Sequence, residues 1–188
     1  MNGYEEFCHY CKLLYSKGLA PGCSGNASIK KGSHIAITAS GVSMNDVSLD
    51  NIVEMDFAGN VIGHGKPSSE KMMHSLIYKN RSDVGAIIHT HSPFLSTLAL
   101  KGIPLGNSSI VELKYLFGGK VPLVKYNPPG SVQLAQDVAE ALKTTNAVIM
   151  QNHGAITIAP TIKEAFYMYE VLEYTARVYV QEKLLKLS

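Results

Sequence analysis

The sequence predicts an α/β fold, a mixed sheet with helices on both faces, built by residues 1–188 as a single domain. Three observations carry that expectation. Strand-length apolar runs, Val84–His89 and Ala147–Met150 among them, alternate with segments whose apolar residues recur at helical spacing. Clusters of glycine, proline and asparagine punctuate the alternation as turns. The 188 residues suffice for one full core, and no repeat, low-complexity tract or linker divides them.

Taken in order, Tyr4–Lys17 sets Phe7, Cys8, Cys11, Leu14 and Tyr15 on a helical stripe that Gly18 closes. Cys8 and Cys11 have the spacing of a thiol pair or half a zinc site. With no second such pair and no preceding strand, they read as two helix positions packed together. The loop Pro21–Asn26 leads into a strand at Ala27–Ile29, which pairs as a hairpin with His34–Thr38. Ser40-Gly41 turns the chain, Asn51–Phe57 is a further strand, and Ala58-Gly59-Asn60 turns into Val61-Ile62. Ser68 stands at the N-cap position of a helix over Ser69–Tyr78, striped by Met72, Met73, Leu76 and Ile77.

Val84–His91 is the expected central strand, and Pro93 opens the helix that carries Phe94, Leu95, Leu98 and Leu100. Gly102–Gly119 shows no assignable pattern. Val121–Val124 reads as a short strand, Pro128-Pro129-Gly130 as a break, and Ser131 as the cap of a helix over Val132–Leu142. Ala147–Met150 and Ala155–Ile158 are strands flanking the turn Asn152-His153-Gly154. A long final helix starts at Pro160 or Thr161 and runs to about Leu185.

Composition removes several classes of function. A net charge of +2 without any Lys/Arg run argues against nucleic acid or an anionic membrane surface as partner. The apolar runs are too short to span a bilayer, and the acidic stretch Met1–Glu6 lacks a signal-peptide core. Three cysteines cannot all pair internally, which suits a reducing compartment. The expected location is the cytoplasm.

The chemistry concentrates at Ile87–His91, an apolar run ending in two histidines two residues apart. Alternate residues of a strand share a face, so His89 and His91 can aim at one ion while Thr90 points away. Lys66-Pro67-Ser68-Ser69-Glu70 lies earlier in the chain and Asn152-His153-Gly154 later. Three neutral nitrogens and one carboxylate fill, or nearly fill, a zinc site. Gly25-Asn26, Ser40-Gly41 and Ser68-Ser69 offer backbone N–H groups and short polar side chains, the last pair at an expected helix N-terminus that favours an anion. His9, His34, His64 and His74 fall outside these motifs and read as surface or packing residues, although His74 shares a helix face with Glu70.

Gly25-Asn26-x-Ser28, Thr38-Ala39-Ser40-Gly41, Lys66-Pro67-Ser68-Ser69-Glu70, His89-Thr90-His91 and His153-Gly154 together resemble the class II sugar-phosphate aldolases. This is the superfamily of fuculose-phosphate aldolase and ribulose-phosphate 4-epimerase, and the likeness covers nearly the whole chain. The resemblance implies a three-layer α/β/α sandwich around a largely antiparallel sheet. It implies that His89, His91 and His153 bind Zn2+, with another divalent metal as an alternative. Gly25, Asn26, Ser40, Gly41, Ser68 and Ser69 would hold the substrate phosphate, and Glu70 would serve as metal neighbour and general acid/base. The implied assembly is a homotetramer with active sites at subunit boundaries.

The implied reaction is the reversible cleavage of a ketose 1-phosphate, similar to fuculose 1-phosphate, to dihydroxyacetone phosphate and an aldehyde. It proceeds through a carbanion stored as an enediolate, which a Lewis acid bound by neutral ligands can stabilise. Glu70 resembles the aldolases, whereas the epimerase branch carries aspartate there. Where fuculose-phosphate aldolases have a tyrosine donated by the neighbouring subunit, the aligned residue is Glu112, with Tyr115 three positions on. A glutamate at that place resembles the base of the methylthioribulose-phosphate dehydratase branch. The longer C-terminal tail that carries a second active-site tyrosine in fuculose-phosphate aldolases is expected to be absent. Epimerase, dehydratase and decarboxylase chemistry therefore stay open beside the aldolase. So does the non-catalytic assembly role of adducin head domains, although those have lost metal ligands that this chain keeps.

Overall fold

The computed structural model describes residues 3–106 and 110–185; Met1 and Asn2, part of the N-terminal stretch read above, lie outside them. Among the described residues, ten strands and six α-helices follow one another. The first helix, α1 (Gly3–Ser16), leads to the hairpin β1 (Asn26–Lys31) and β2 (His34–Thr38). Two 3-10 turns, Met44–Asp46 and Leu49–Asn51, precede β3 (Ile52–Met55) and β4 (Val61–Ile62). Then come α2 (Lys71–Asn80), β5 (Ala86–Thr90), α3 (Pro93–Lys101), β6 (Leu105–Gly106) and α4 (Val111–Phe117). The chain closes with β7 (Lys120–Val121), β8 (Leu123–Val124), α5 (Val132–Ala141), β9 (Ala147–Met150), β10 (Gly154–Ala159) and α6 (Ile162–Leu185).

Eight strands form one sheet in the order β4-β3-β2-β1-β5-β10-β9-β8, antiparallel throughout except for the parallel β8–β9 pair. β5 is central, as expected, and all five of its residues are buried, which explains its uninterrupted apolar run. The sheet's two faces have separate cores. Ala27 and Ile29 of β1, Ile88 of β5 and Ala155 of β10 face helices α1, α3, α4 and α6. Ile87, Ile156 and Ile158 face α2 and α5 instead. Helix, sheet and helix make three layers. α6 is long but amphipathic, and among the described residues no helix is long and apolar enough to cross a membrane.

Two expectations need correction. Ser68 is not the N-cap of α2. The helix starts at Lys71 and Glu70 takes the N-cap position, while Ser68 forms the preceding turn and accepts from Glu70 N at 3.2 Å. Nor is Val121–Val124 one strand. Lys120–Val121 pairs with β6 in a separate two-stranded sheet, and Leu123–Val124 joins the main sheet. Pro122 lies between them and has no N–H to continue a ladder, although its carbonyl accepts from Ile149 N at 2.9 Å. The unassigned Gly102–Gly119 contains β6 and the short helix α4. Pro93 does open α3, behind Ser92 as N-cap, and Ser131 does cap α5, accepting from Leu134 N.

Candidate active site

The strand alternation places the site on the α2/α5 face of the sheet. On β5, His89 shares that face with Ile87, and on β1 Asn26 and Ser28 share it, with Asn26 directly opposite His89. Thr90 points the other way, as expected: its hydroxyl donates to Leu19 O at 2.6 Å. His91 lies one residue beyond the strand. That strand end is held from behind by α6, where the Tyr169 hydroxyl donates to Thr90 O at 3.0 Å. Glu173 accepts from Ser92 Oγ, Phe94 N and Leu95 N at 2.7, 2.8 and 2.9 Å. His153 arrives from the β9–β10 turn, where Asn152 adopts φ 56° and His153 N donates to Met150 O.

Two glycines let these segments meet. Gly25 has φ +80°, and a Cβ there would stand 2.5 Å from His89 O. At Gly154 a Cβ would stand 2.5 Å from Thr90 O and 2.8 Å from the His91 ring. Side chains at either position would wedge apart the backbones that bring the histidines together.

The three imidazoles are mutually edge-on, with ring centroids 4.8 to 4.9 Å apart. One nitrogen from each lies within 4.8 Å of the others, and His89 Nε2 and His91 Nε2 are 3.1 Å apart. Nitrogens around a tetrahedral zinc with Zn–N of about 2.0–2.1 Å are spaced by roughly 3.4 Å, so the set is of the right size. His89 Nδ1 donates to Ala155 O at 2.9 Å, which directs Nε2 at the cluster. Glu70 Oε2 lies 3.1 Å from His89 Nε2, and Oε1 lies 3.5 Å from His153 Nε2. Glu70 Oε1 and His153 Nδ1 are buried without a hydrogen-bond partner among the described residues. A buried carboxylate oxygen with no donor, facing three imidazoles, fits a cation. The donor set therefore suits a divalent metal ion.

The electrostatics agree. Burial alone would raise the Glu70 carboxyl, but the charge and hydrogen bond of His89, the charge of His153 and the Asn26 amide hold it well below its ordinary value. Burial opposes a charge on His89, yet Glu70 and the Ala155 carbonyl raise it above the usual histidine value. Burial and the neighbouring His89 lower His91 and His153 to about 4, so both are neutral lone-pair donors at neutral pH.

A cavity of about 390 Å³ adjoins the cluster, lined by Glu70, His91 and His153 at one side. All six residues read as phosphate contacts line it too: Gly25, Asn26, Ser40, Gly41, Ser68 and Ser69. Their donors are not all free. Ser40 N and Ser68 N donate to Lys66 O and Thr38 O, so at those two residues the hydroxyls are the candidate donors. Asn26 donates one amide hydrogen to Glu70 Oε2 at 2.9 Å and keeps a second. Glu112 is not brought to this cavity. It sits in the first turn of α4, on an exposed surface with Tyr115.

Sequence reasoning gave no site role to several residues that the fold brings here. Cys23, Pro129 and Asn152 also line the cavity, on loops whose meeting no local pattern encodes. His74 is fully buried and contacts Asn26 and Ser28, and Tyr78 continues the same chain of contacts. The signal for these was present: residues 70, 74 and 78 recur every four positions along one helix face.

Comparison with known proteins agrees with this geometry. Residues 5–180 match the family model described as "Class II Aldolase and Adducin N-terminal domain". A protein of Methanocaldococcus jannaschii named L-fuculose phosphate aldolase is 36% identical over 185 residues, spanning 97% of this chain and 98% of the relative. A 5-deoxy-D-ribulose 1-phosphate aldolase of Bacillus thuringiensis serovar kurstaki is 37% identical over 182 residues, 95% of this chain and 84% of that protein. A solved structure named L-fuculose 1-phosphate aldolase superposes with a TM-score of 0.92 at 34% identity, covering 98% of this chain and 87% of the other.

Proposed function

The chain belongs to the class II aldolase and adducin N-terminal domain family and is a class II aldolase, a carbon–carbon lyase; from that premise, we propose that it reversibly cleaves a ketose 1-phosphate to dihydroxyacetone phosphate and an aldehyde in the cytoplasm. One observation carries the reading: three imidazoles and Glu70 converge at one side of a cavity that small polar turns line elsewhere. His89, His91 and His153, with Glu70, are the residues that would hold Zn2+. Bound there, the ion supplies Lewis-acid stabilisation for the negative charge that develops on the substrate when the carbon–carbon bond breaks.

The chain's own groups do the rest. Gly25, Asn26, Ser40, Gly41, Ser68 and Ser69 hold the phosphate as a handle through backbone N–H, amide and hydroxyl donors, and its binding energy orients the reacting carbons. Neutral donors suffice for this, so a chain of net charge +2 needs no basic cluster at the site. Glu70 is ionised at neutral pH and moves the proton: it takes one from the substrate hydroxyl and returns it to the carbon freed by cleavage. The His89 imidazole beside it holds its carboxyl well below the usual carboxylate range. A metal in that place keeps the carboxylate charged in the same way.

Glu112 enters through assembly. Val111, Tyr115 and Leu116 surround it with exposures of 61%, 80% and 46%, an apolar helix face that supports contact with a second copy in a homotetramer. A neighbouring copy would then bring Glu112 or Tyr115 to the open side of the cavity as a proton donor or base. The test is a panel of ketose 1-phosphates offered to zinc-loaded protein, with dihydroxyacetone phosphate as readout. No release from any of them sinks the proposal. Glu112→Gln separates the dehydratase variant, since unchanged turnover would remove Glu112 as a base.

A further inference from the structure

Behind Glu70 runs a line of four buried polar side chains. Asn26 Nδ2 donates to Glu70 Oε2 at 2.9 Å, and Asn26 Oδ1 lies 2.6 Å from His74 Nε2. His74 Nδ1 lies 2.7 Å from Ser28 Oγ, which is 2.9 Å from the Tyr78 hydroxyl. Exposure is 5% at Asn26 and Glu70, 4% at Tyr78, and zero at Ser28 and His74. Asn26 and Glu70 also border the cavity, but Ser28 and His74 are fully enclosed, so at those two the protons must be assigned within the line.

Only one assignment satisfies it. An ionised Glu70 can only accept, so the Asn26 NH2 group faces it and Asn26 Oδ1 faces His74. His74 must then donate from Nε2. Fully buried and without a carboxylate in hydrogen-bond contact, it is neutral, lowered to about 3 by burial. Its Nδ1 is therefore bare and accepts from Ser28, whose hydroxyl in turn accepts from Tyr78. Were His74 protonated at Nδ1 instead, its Nε2 would accept from the Asn26 amide, and Asn26 Oδ1 would be turned against the Glu70 carboxylate.

We propose that His74, as the tautomer protonated at Nε2, is a positioning residue: it fixes the orientation of the Asn26 amide and thereby holds Glu70 Oε2, leaving Oε1 aimed at the histidine cluster. Ser28 and Tyr78 select that tautomer from the far end. The role rests on the reading of Glu70 as the carboxylate that works at the metal, but its tests do not depend on any substrate.

The first test is 15N NMR of the metal-free protein with labelled histidines. His74 shows a protonated Nε2 and a pyridine-type Nδ1; a ring protonated at Nδ1, or at both nitrogens, overturns the proposal. This result stands whether or not the protein cleaves a ketose 1-phosphate. The second compares His74→Gln, whose amide can donate from the Nε2 position, with His74→Asn, which reaches only the Nδ1 position. Zinc affinity by chelator competition falls about tenfold or more in H74N and is restored to within about threefold of the native value in H74Q. Equal affinities in the two variants, both weakened or both native, would overturn it. Should H74N not fold, the tautomer measured on the native chain still decides.

Discussion

Gly154→Ala perturbs the backbone directly beside the histidine cluster. The added Cβ would stand 2.5 Å from Thr90 O, 2.8 Å from His91 Cδ2 and 3.3 Å from His89 Cε1. To reach the 3.4 Å of ordinary contact, the carbonyl must retreat by about 0.9 Å. Thr90 pairs with Ala155 in the β5–β10 ladder, so the retreat strains the hydrogen bonds that join the two central strands. It also pulls on the 2.9 Å bond from His89 Nδ1 to Ala155 O, which orients that imidazole. Overpacking of this kind costs about 1–3 kcal/mol of stability. Misaligned ligands weaken metal binding by a further factor of about 10–100, by analogy with losses of ligand orientation elsewhere. Urea denaturation reads the first effect and chelator competition for zinc the second. A G154A protein as stable as the native one, with native zinc affinity, would refute the claim that this glycine is where the two strands and three histidines meet.

Three further outcomes follow from the geometry. Glu70→Gln removes the proton-transfer group and should lower kcat about 10²–10⁴-fold while zinc still binds through the three histidines; near-native turnover would dismiss Glu70 as the acid/base. Zinc affinity should rise with pH by about tenfold per unit below the ordinary histidine value of 6.5. The sign follows from His89, raised and protonated in the metal-free protein, which must lose that proton to bind, whereas His91 and His153 are already neutral above about 4. A flat profile between pH 5 and 6.5, measured with a metal buffer, contradicts it. Glu173→Leu leaves Phe94 N and Leu95 N without their acceptor at the start of α3, while Ser92 Oγ keeps the Tyr169 hydroxyl, and should cost about 3 kcal/mol in urea denaturation; an unchanged midpoint would show that α6 does not anchor that turn.

The fold was legible wherever one local signal sufficed. The β5 run, Pro93 at the head of α3 and the Ser131 cap are each encoded by a residue and its neighbours. The histidines could be read because strand alternation fixes the facing of His89 and His91, and the family resemblance supplied His153. Boundaries failed where a tertiary partner chose between local options. Ser68 looks like a cap, yet the chain uses it to form a turn so that Glu70 can swing from the helix start into the site. Residues 120–124 look like one strand, but their two halves find different sheets on either side of Pro122. Asn26 reads from sequence as a phosphate contact, and the β1–β5 register also sets it against α2, where its amide contacts Glu70 and His74, a second role that no local pattern encodes. Glu112 lies on an exposed helix face away from the cavity, and the pattern of residues 102–119 did not reveal that helix.

The claim that joins fold to function is that three histidines and Glu70 hold a divalent metal that the cleavage reaction requires. It is tested most directly by following dihydroxyacetone phosphate release from a ketose 1-phosphate before chelation, after it and on restoring zinc. Release that vanishes when metal is stripped and returns with about one zinc per chain is the predicted result. Release that persists undiminished in protein shown to be metal-free would contradict the account.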